Sequence, residues 1–344
     1  MEWGFRIVEL TKRYPLAISR GVQAGSQNLF VTVSDGVHTG IGELSPATSS
    51  SWTGERGRVQ LEAFTNELPE NLAIAETWDR MKEMGIDPPA MAAVDVALWD
   101  LFGKRCGQPL YRVFGLAKPR VPTSVTIGIN PPEVIRERVP EMLARTGAQN
   151  LKIKLGCPDG LHRDQENFLA AAEAARPFCV HLRVDANGGW SVEDALLMLK
   201  WLAERGADYV EQPLAEGCED GLPRLYEHRP LPIFVDESIR FASDVPGVAG
   251  KVDGINLKLM KCGGLTEALR IVATARSHGL QTMIGCMSES SVAIAAGAHL
   301  GALFDHIDLD SHLNLAPDPA TGAPIDADGV IMPTDAPGHG ASIA

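Results

Sequence analysis

NLKIKL at residues 150–155, HLRVDAN at 181–187, DYVEQP at 208–213, PIFVDES at 232–238 and GINLKL at 254–259 are short runs rich in β-branched and aliphatic residues. Each is followed by a segment of helical periodicity, such as Ser191–Arg205 or Leu265–His278. VPTSVTIGI (121–129), QTMIGCM (281–287) and DHIDLD (305–310) extend the series to eight. Strands alternating with helices imply parallel βαβ units, and eight in about 200 residues predict a (β/α)8-type barrel.

The residues before this series follow another rule. Segments 4–12 and 27–34 read as strands, Asp35-Gly36 as a turn, and Gly40-Ile41-Gly42 as the core of a third strand. Helical patterning follows at 56–67 and 73–84. A firmer helix begins near Pro88, with Met91, Val94, Leu98, Leu101 and Phe102 on one face. The expectation is an α+β capping domain over 1–118, a barrel over 119–319, and a Pro-, Gly- and Asp-rich tail, 320–344, folded back on the first domain.

Composition narrows the partners. The 31 Lys+Arg against 44 Asp+Glu give a net charge of −13, which repels phosphate backbones and anionic lipid, so neither nucleic acid nor membrane is expected. The longest apolar stretch, Val292–Phe304, is too short to span a bilayer. The opening MEWGFRIVEL lacks an apolar signal core, and six scattered cysteines form no C-x-x-C pair, so a reduced, cytoplasmic setting is expected. G-x-G-x-x-G, P-loop and G-x-S-x-G motifs are absent, which removes the nucleotide-binding readings and weakens that of a serine hydrolase.

In barrels of this kind chemistry sits at the C-terminal ends of the strands. Lys154, Asp185, Glu211, Asp236 and Lys258 occupy those ends, 31, 26, 25 and 22 residues apart, about one βα unit each. An acidic residue at a strand end often just caps the next helix. Three on consecutive strands repel one another unless a cation lies between them. An all-oxygen set without His or Cys favours a hard ion, Mg²⁺ first and Mn²⁺ second.

Lys152 and Lys154 share a strand face and so both point into the barrel mouth. A positive neighbour at 4 Å disfavours protonation by about 4 kcal/mol at an effective dielectric of 20, which would let Lys154 act as a base. Strands two and six lie opposite in a ring of eight, so Lys258 faces Lys154 across the mouth. A carbon acid between them could lose a proton on one face and regain one on the other. Asp308 and Asp310, placed on one face of strand eight, would hold a cationic group while a carboxylate reached the metal. His306 reads as a core histidine rather than the general acid of a dehydratase.

These motifs resemble the enolase superfamily, muconate-lactonizing-enzyme subgroup: LKIKLG, VDANGGW, EQP, DES and INLKLMKCGG. Within it, HIDLDSHL and MIGCMSESS resemble the dipeptide epimerases, including the L-Ala-D/L-Glu epimerases. The resemblance implies a modified (β/α)7β TIM-type barrel under an α+β N-terminal capping domain. It implies Mg²⁺ on Asp185, Glu211 and Asp236, acid/base catalysis by Lys154 and Lys258, and enolate stabilisation by Lys152; the superfamily's Lys base with Mg²⁺ is a standard example of tuned acid/base chemistry. It also implies that Asp308 and Asp310 bind a dipeptide's α-ammonium group, and that Arg20 in PLAISRGVQAG meets a side-chain carboxylate. The nearest alternatives on the same scaffold are o-succinylbenzoate synthase, N-succinylamino acid racemase and muconate cycloisomerase. Two aspartates would repel their anionic substrates. A non-catalytic barrel is disfavoured because no lysine or carboxylate of the set is missing. The sequence leaves a homo-oligomer open.

Overall fold

A computed structural model describes residues 1–46, 51–68 and 73–344. The chain opens with three antiparallel strands, β1 (Glu2–Ile18), β2 (Gly21–Ser34) and β3 (Thr39–Leu44). The first two form a hairpin longer than the sequence pattern suggested, turning at Ser19-Arg20. Helices α1 (Gly54–Asn66), α2 (Ile74–Glu83) and α3 (Pro88–Cys106) follow. Leu29, Val31 and Val33 of β2 are buried against Met91, Val94, Leu98 and Leu101 of α3. Gly42 is required at this contact, because a Cβ there would strike the backbone carbonyl of Ala93. Phe102, expected on the same face, is instead 42% exposed; it lies across the helix from the sheet and packs edge-on against Trp99.

A short α4 (Leu110–Val113) leads to eight parallel strands: β4 (Ser124–Ile127), β5 (Asn150–Lys154), β6 (His181–Asp185), β7 (Ala207–Glu211), β8 (Ile233–Val235), β9 (Gly254–Lys258), β10 (Gln281–Gly285) and β11 (His306–Ile307). They pair in sequence order. The intervening helices are α5 (Pro132–Thr146), α6 (Leu161–Ala175), α7 (Val192–Ala203), α8 (Leu222–His228), α9 (Val245–Val248), the one-turn α10 (Leu259–Cys262), α11 (Leu265–Ser277) and α12 (Ser291–Ala298). No long helix follows β11, so the barrel is of the (β/α)7β type. Between β4 and β11 the ring closes through a single bridge, Thr123 to Ile307, backed by a 2.9 Å bond from Leu309 N to Thr123 Oγ1.

Tyr209, Phe234 and Met283 fill the barrel interior, with the His306 ring packed against the first two. His306 is thus a packed ring at the floor, as the sequence suggested. Beyond Leu315 the chain returns to the N-terminal unit: Leu110 N donates to Gly338 O, and His339 N to Asp100 Oδ1. Among the described residues no helix is long and apolar enough to cross a membrane.

Candidate active site

Backbone register brings Lys154, Asp185 and Glu211 side by side at the ends of β5, β6 and β7. Asp236 stands one residue past the end of β8, while the partner of Glu211 is Phe234. The offset is the stagger that strand tilt imposes on a closed barrel, so the residues share a rim without sharing one register line.

Asp308 and Asp310 depart from the sequence reading. β11 ends at Ile307, so both aspartates lie beyond it, and Asp310 begins the 3₁₀ turn 311–314. Past Ile307 side chains take over the ladder at the seam: Leu309 N donates to Thr123 Oγ1, and Thr126 N of β4 donates at 2.7 Å to Asp310 Oδ2. Both carboxylates still face the mouth, but from a loop pinned to β4 rather than from one strand face.

The charged side chains interlock. Lys152, 1% exposed, places Nζ 2.7 Å from Glu211 Oε2, 2.7 Å from Asp308 Oδ2 and 3.3 Å from Asp185 Oδ2. Lys154 Nζ donates to Asp185 Oδ2 at 2.5 Å, and Lys258 Nζ lies 2.7 Å from Asp236 Oδ2. Burial works against the charge on Lys152, yet Asp308, Glu211 and Asp185 outweigh it and hold its proton well above the usual lysine range. Lys258 is pushed up in the same way by Asp236 and Glu211. Burial also raises Asp185 and Asp236, but Lys154 and Lys152 hold the first low, and Lys258 and Lys261 the second. Burial and Asp185 push Glu211 up. At Lys152 and Lys258 carboxylates stand within 2.7 Å of the amine, so the nearest charges favour the proton.

Four supporting residues were not read from the sequence. Lys261, on α10, is buried and donates to both the carboxylate and the backbone carbonyl of Asp236. Asn256 Nδ2 donates to Glu211 Oε1 at 2.8 Å. Gln212, at φ 39°, accepts from Asp236 N at 2.7 Å, and Asn187, at φ 44°, donates its backbone N–H to Asp185 Oδ1 at 2.8 Å. Non-glycine residues in this left-handed region are uncommon and here aim the turns after β6 and β7 at the rim. Gln212 and Asn187 depend on turns that only the folded chain shows, and Asn256 on its one bond to Glu211.

Among the described residues, no group of three or more His, Cys, Asp and Glu side chains is gathered closely enough to hold a metal as it stands. The carboxylates nonetheless suit a hard cation. Glu211 Oε2 and Asp236 Oδ2 are buried oxygens that accept no well-aligned hydrogen bond, although an ammonium stands beside each. Such unspent lone pairs, on an all-oxygen set, are what Mg²⁺ takes.

Above the rim lies a cavity of about 840 Å³, lined by Lys154 and Lys258 from the barrel and by Leu16, Ile18, Arg20 and Trp52 from the N-terminal unit. Arg20 reaches it, but its guanidinium donates to Glu237 Oε1 at 2.5 Å and to Asn187 O at 2.9 Å. Burial works against the Arg20 charge and Glu237 more than restores it.

The family profile for the mandelate racemase / muconate lactonizing enzyme N-terminal domain matches residues 4–115, and that for the enolase C-terminal domain-like family matches 134–344. The chain belongs to this family. Among its members, the protein is 56% identical to a hydrophobic dipeptide epimerase of Roseobacter litoralis, over 99% of this chain and 98% of that one. It is equally similar to a hydrophobic dipeptide epimerase of a Flavobacteria bacterium, over 99% and 98%. Among solved structures of the enolase superfamily, the dipeptide epimerase of Enterococcus faecalis V583, complexed with Mg and L-Leu-L-Tyr, matches with a TM-score of 0.92 and 31% identity over 99% of each chain.

Proposed function

We propose that the protein is a dipeptide epimerase that inverts the α-carbon of the C-terminal residue. One observation carries this reading. Lys154 on β5 and Lys258 on β9, four strands apart in a ring of eight, border both the main cavity, which Asp236 also lines, and the adjoining pocket lined by Asp308 and Asp310.

Asp185, Glu211 and Asp236 would hold Mg²⁺, with Mn²⁺ the alternative, which would answer their charge and supply Lewis-acid polarisation of a substrate carboxylate. The remaining work belongs to the chain. Asp308 and Asp310 receive the α-ammonium, which fixes the dipeptide across the mouth. One of Lys154 and Lys258, released from its carboxylate, removes the α-proton as an amine. The other, as an ammonium, delivers a proton to the opposite face. Lys152, held protonated beneath them, stabilises the negative charge between the two transfers. The capping unit, residues 1–118 with the tail 320–344, covers the catalytic unit, 119–319, and keeps water out.

The preferred C-terminal side chain is hydrophobic. Leu16, Ile18, Trp52 and Met287 supply apolar wall, and Glu237 has already answered Arg20, so a substrate carboxylate gains little there. The names of the two relatives at 56% identity support the same choice over L-Ala-D/L-Glu. o-Succinylbenzoate synthesis, N-succinylamino acid racemisation and muconate cycloisomerisation stay behind it, because their substrates bring no ammonium to Asp308 and Asp310. The thiols, none in a disulfide among the described residues, support a cytoplasmic setting.

The test is incubation with Mg²⁺ and a mixed L,L-dipeptide library in D₂O, read by mass spectrometry. One deuteron in the C-terminal residue of hydrophobic dipeptides is the expected result. Absence of exchange in every dipeptide would overturn it and point to succinylated amino acids.

A further inference from the structure

Lys12 is not used by the mechanism above, yet it borders the site. It lies on β1 where the hairpin register breaks, between Thr11 and Leu16. That irregular segment is tied to the loop carrying Asp308 and Asp310. Lys12 bridges Leu315 through its backbone, Ala316 N donates to Thr11 O at 2.9 Å, and Tyr14 and Asn314 exchange bonds of 3.0 and 2.8 Å. The capping strand and the aspartate loop are therefore one rigid wall.

The lysine head is poorly satisfied. Among the described residues it enters no ion pair, and its one hydrogen bond is a long 3.4 Å contact to Gln23 Oε1. It lines both the main cavity and a small adjoining pocket of about 70 Å³ that also contains Asp308, Asp310, Val125 and Met142. Burial pulls its proton affinity down to about 8, with Asp310 and the Cys286 side chain opposing and Lys154 adding to the fall. A desolvated ammonium that no carboxylate meets within ion-pair distance costs stability, which the more distant Asp310 only partly offsets.

Resting on the dipeptide reading, we propose that Lys12 is a specificity residue for the N-terminal side chain: it rejects cationic side chains and admits carboxylates. Two aspartates alone would attract a lysine or arginine side chain as readily as an α-ammonium. A fixed positive charge lining the same pocket breaks that tie. The α-ammonium reaches the aspartates, while a second cation beside it meets Lys12 in a partly dehydrated cavity where like charges repel strongly.

The test compares kcat/KM for L-Asp-L-Leu and L-Lys-L-Leu in the wild-type enzyme with Mg²⁺, then in Lys12→Met and Lys12→Arg. The wild type should favour the aspartyl substrate at least about tenfold. Lys12→Met should lower that ratio about tenfold or more, and Lys12→Arg should retain it. The ratio is insensitive to a general loss of activity, and the wild-type preference stands as a test even if a variant fails to fold. A wild type that turns over both alike, or a ratio unchanged in Lys12→Met, would overturn the assignment while leaving the epimerase reading intact. If the wild type exchanged deuterium into no dipeptide, the reaction itself would be wrong and the assignment would fall with it.

Discussion

Lys152 and Asp308 meet at 2.7 Å across the seam of the barrel, joining the floor of the site to the loop that would hold the substrate ammonium. Hydrogen bonds to charged groups are worth about 1.5–3 kcal/mol. Asp308→Asn and Asp310→Asn should therefore each raise KM for free dipeptides about tenfold to a hundredfold. Steady-state kinetics on a free dipeptide and its N-acetylated form checks this: an equal rise for both would show that the aspartates do not read the ammonium.

The two rim lysines should fail in different ways. Lys154→Ala and Lys258→Ala should each lower epimerisation by about 10²- to 10⁴-fold, the usual contribution of a positioned acid or base. Each should retain slow deuterium wash-in from one epimer only, the one whose α-proton faces the surviving lysine. Proton NMR of the L,L and L,D substrates in D₂O separates the cases. Loss of exchange from both epimers in a single variant would mean that one lysine serves both faces.

Glu237 should govern the response to acidic side chains. Glu237→Gln removes the charge that answers Arg20 at 2.5 Å, leaving the guanidinium available to the cavity. The kcat/KM ratio of L-Ala-L-Glu to L-Ala-L-Leu should rise about tenfold, since charge-assisted pairs with arginine are among the stronger polar contacts. An unchanged ratio would place Arg20 outside the side-chain pocket.

Acid should loosen the tail. His299 is fully buried, with Tyr111 N donating to its Nδ1 at 3.0 Å and its Nε2 3.1 Å from His339 O. Burial lowers it to about 4 from the ordinary 6.5, so the unfolded chain binds the extra proton between those values. The stability that His299 contributes is fully present above about 6.5 and is lost as pH falls toward 4, roughly 3 kcal/mol in all. Buried Asp95, raised to about 7 by burial, has the opposite slope, so the contribution is read as a difference. Urea unfolding of wild type and His299→Gln from pH 7.5 to 4.5 should show the gap between them narrowing by that amount. A constant gap would show that His299 is charged when folded.

The rim was legible because its chemistry coincides with strand ends. Lys154, Asp185, Glu211 and Asp236 each close a β-branched run, and a parallel barrel turns that linear spacing into neighbourhood. Asp308 and Asp310 obeyed the same alternation in sequence, but the strand had already ended, with Leu309 N donating to Thr123 Oγ1 and Thr126 N of β4 to the Asp310 carboxylate. Lys261 lies in one turn of helix, where no period can be read, and Asn256 is an interior strand residue whose importance is a single bond to Glu211. Lys12 sits at a break in hairpin register around Pro15, so alternation gave no reason to point it at the site. Phe102 matched the helical stripe of α3 yet faces outward, because that stripe is wider than the sheet it covers.

One bridge and a few side-chain bonds fasten the ring between β4 and β11, and Asp308 and Asp310 lie directly beside that join. A dipeptide resting its ammonium there would act as a clasp on a bracelet: the same contacts that orient it would draw the two ends of the sheet together. Its arrival should register as slower amide exchange at Thr123–Thr126, on the far side of the join from Asp308 and Asp310.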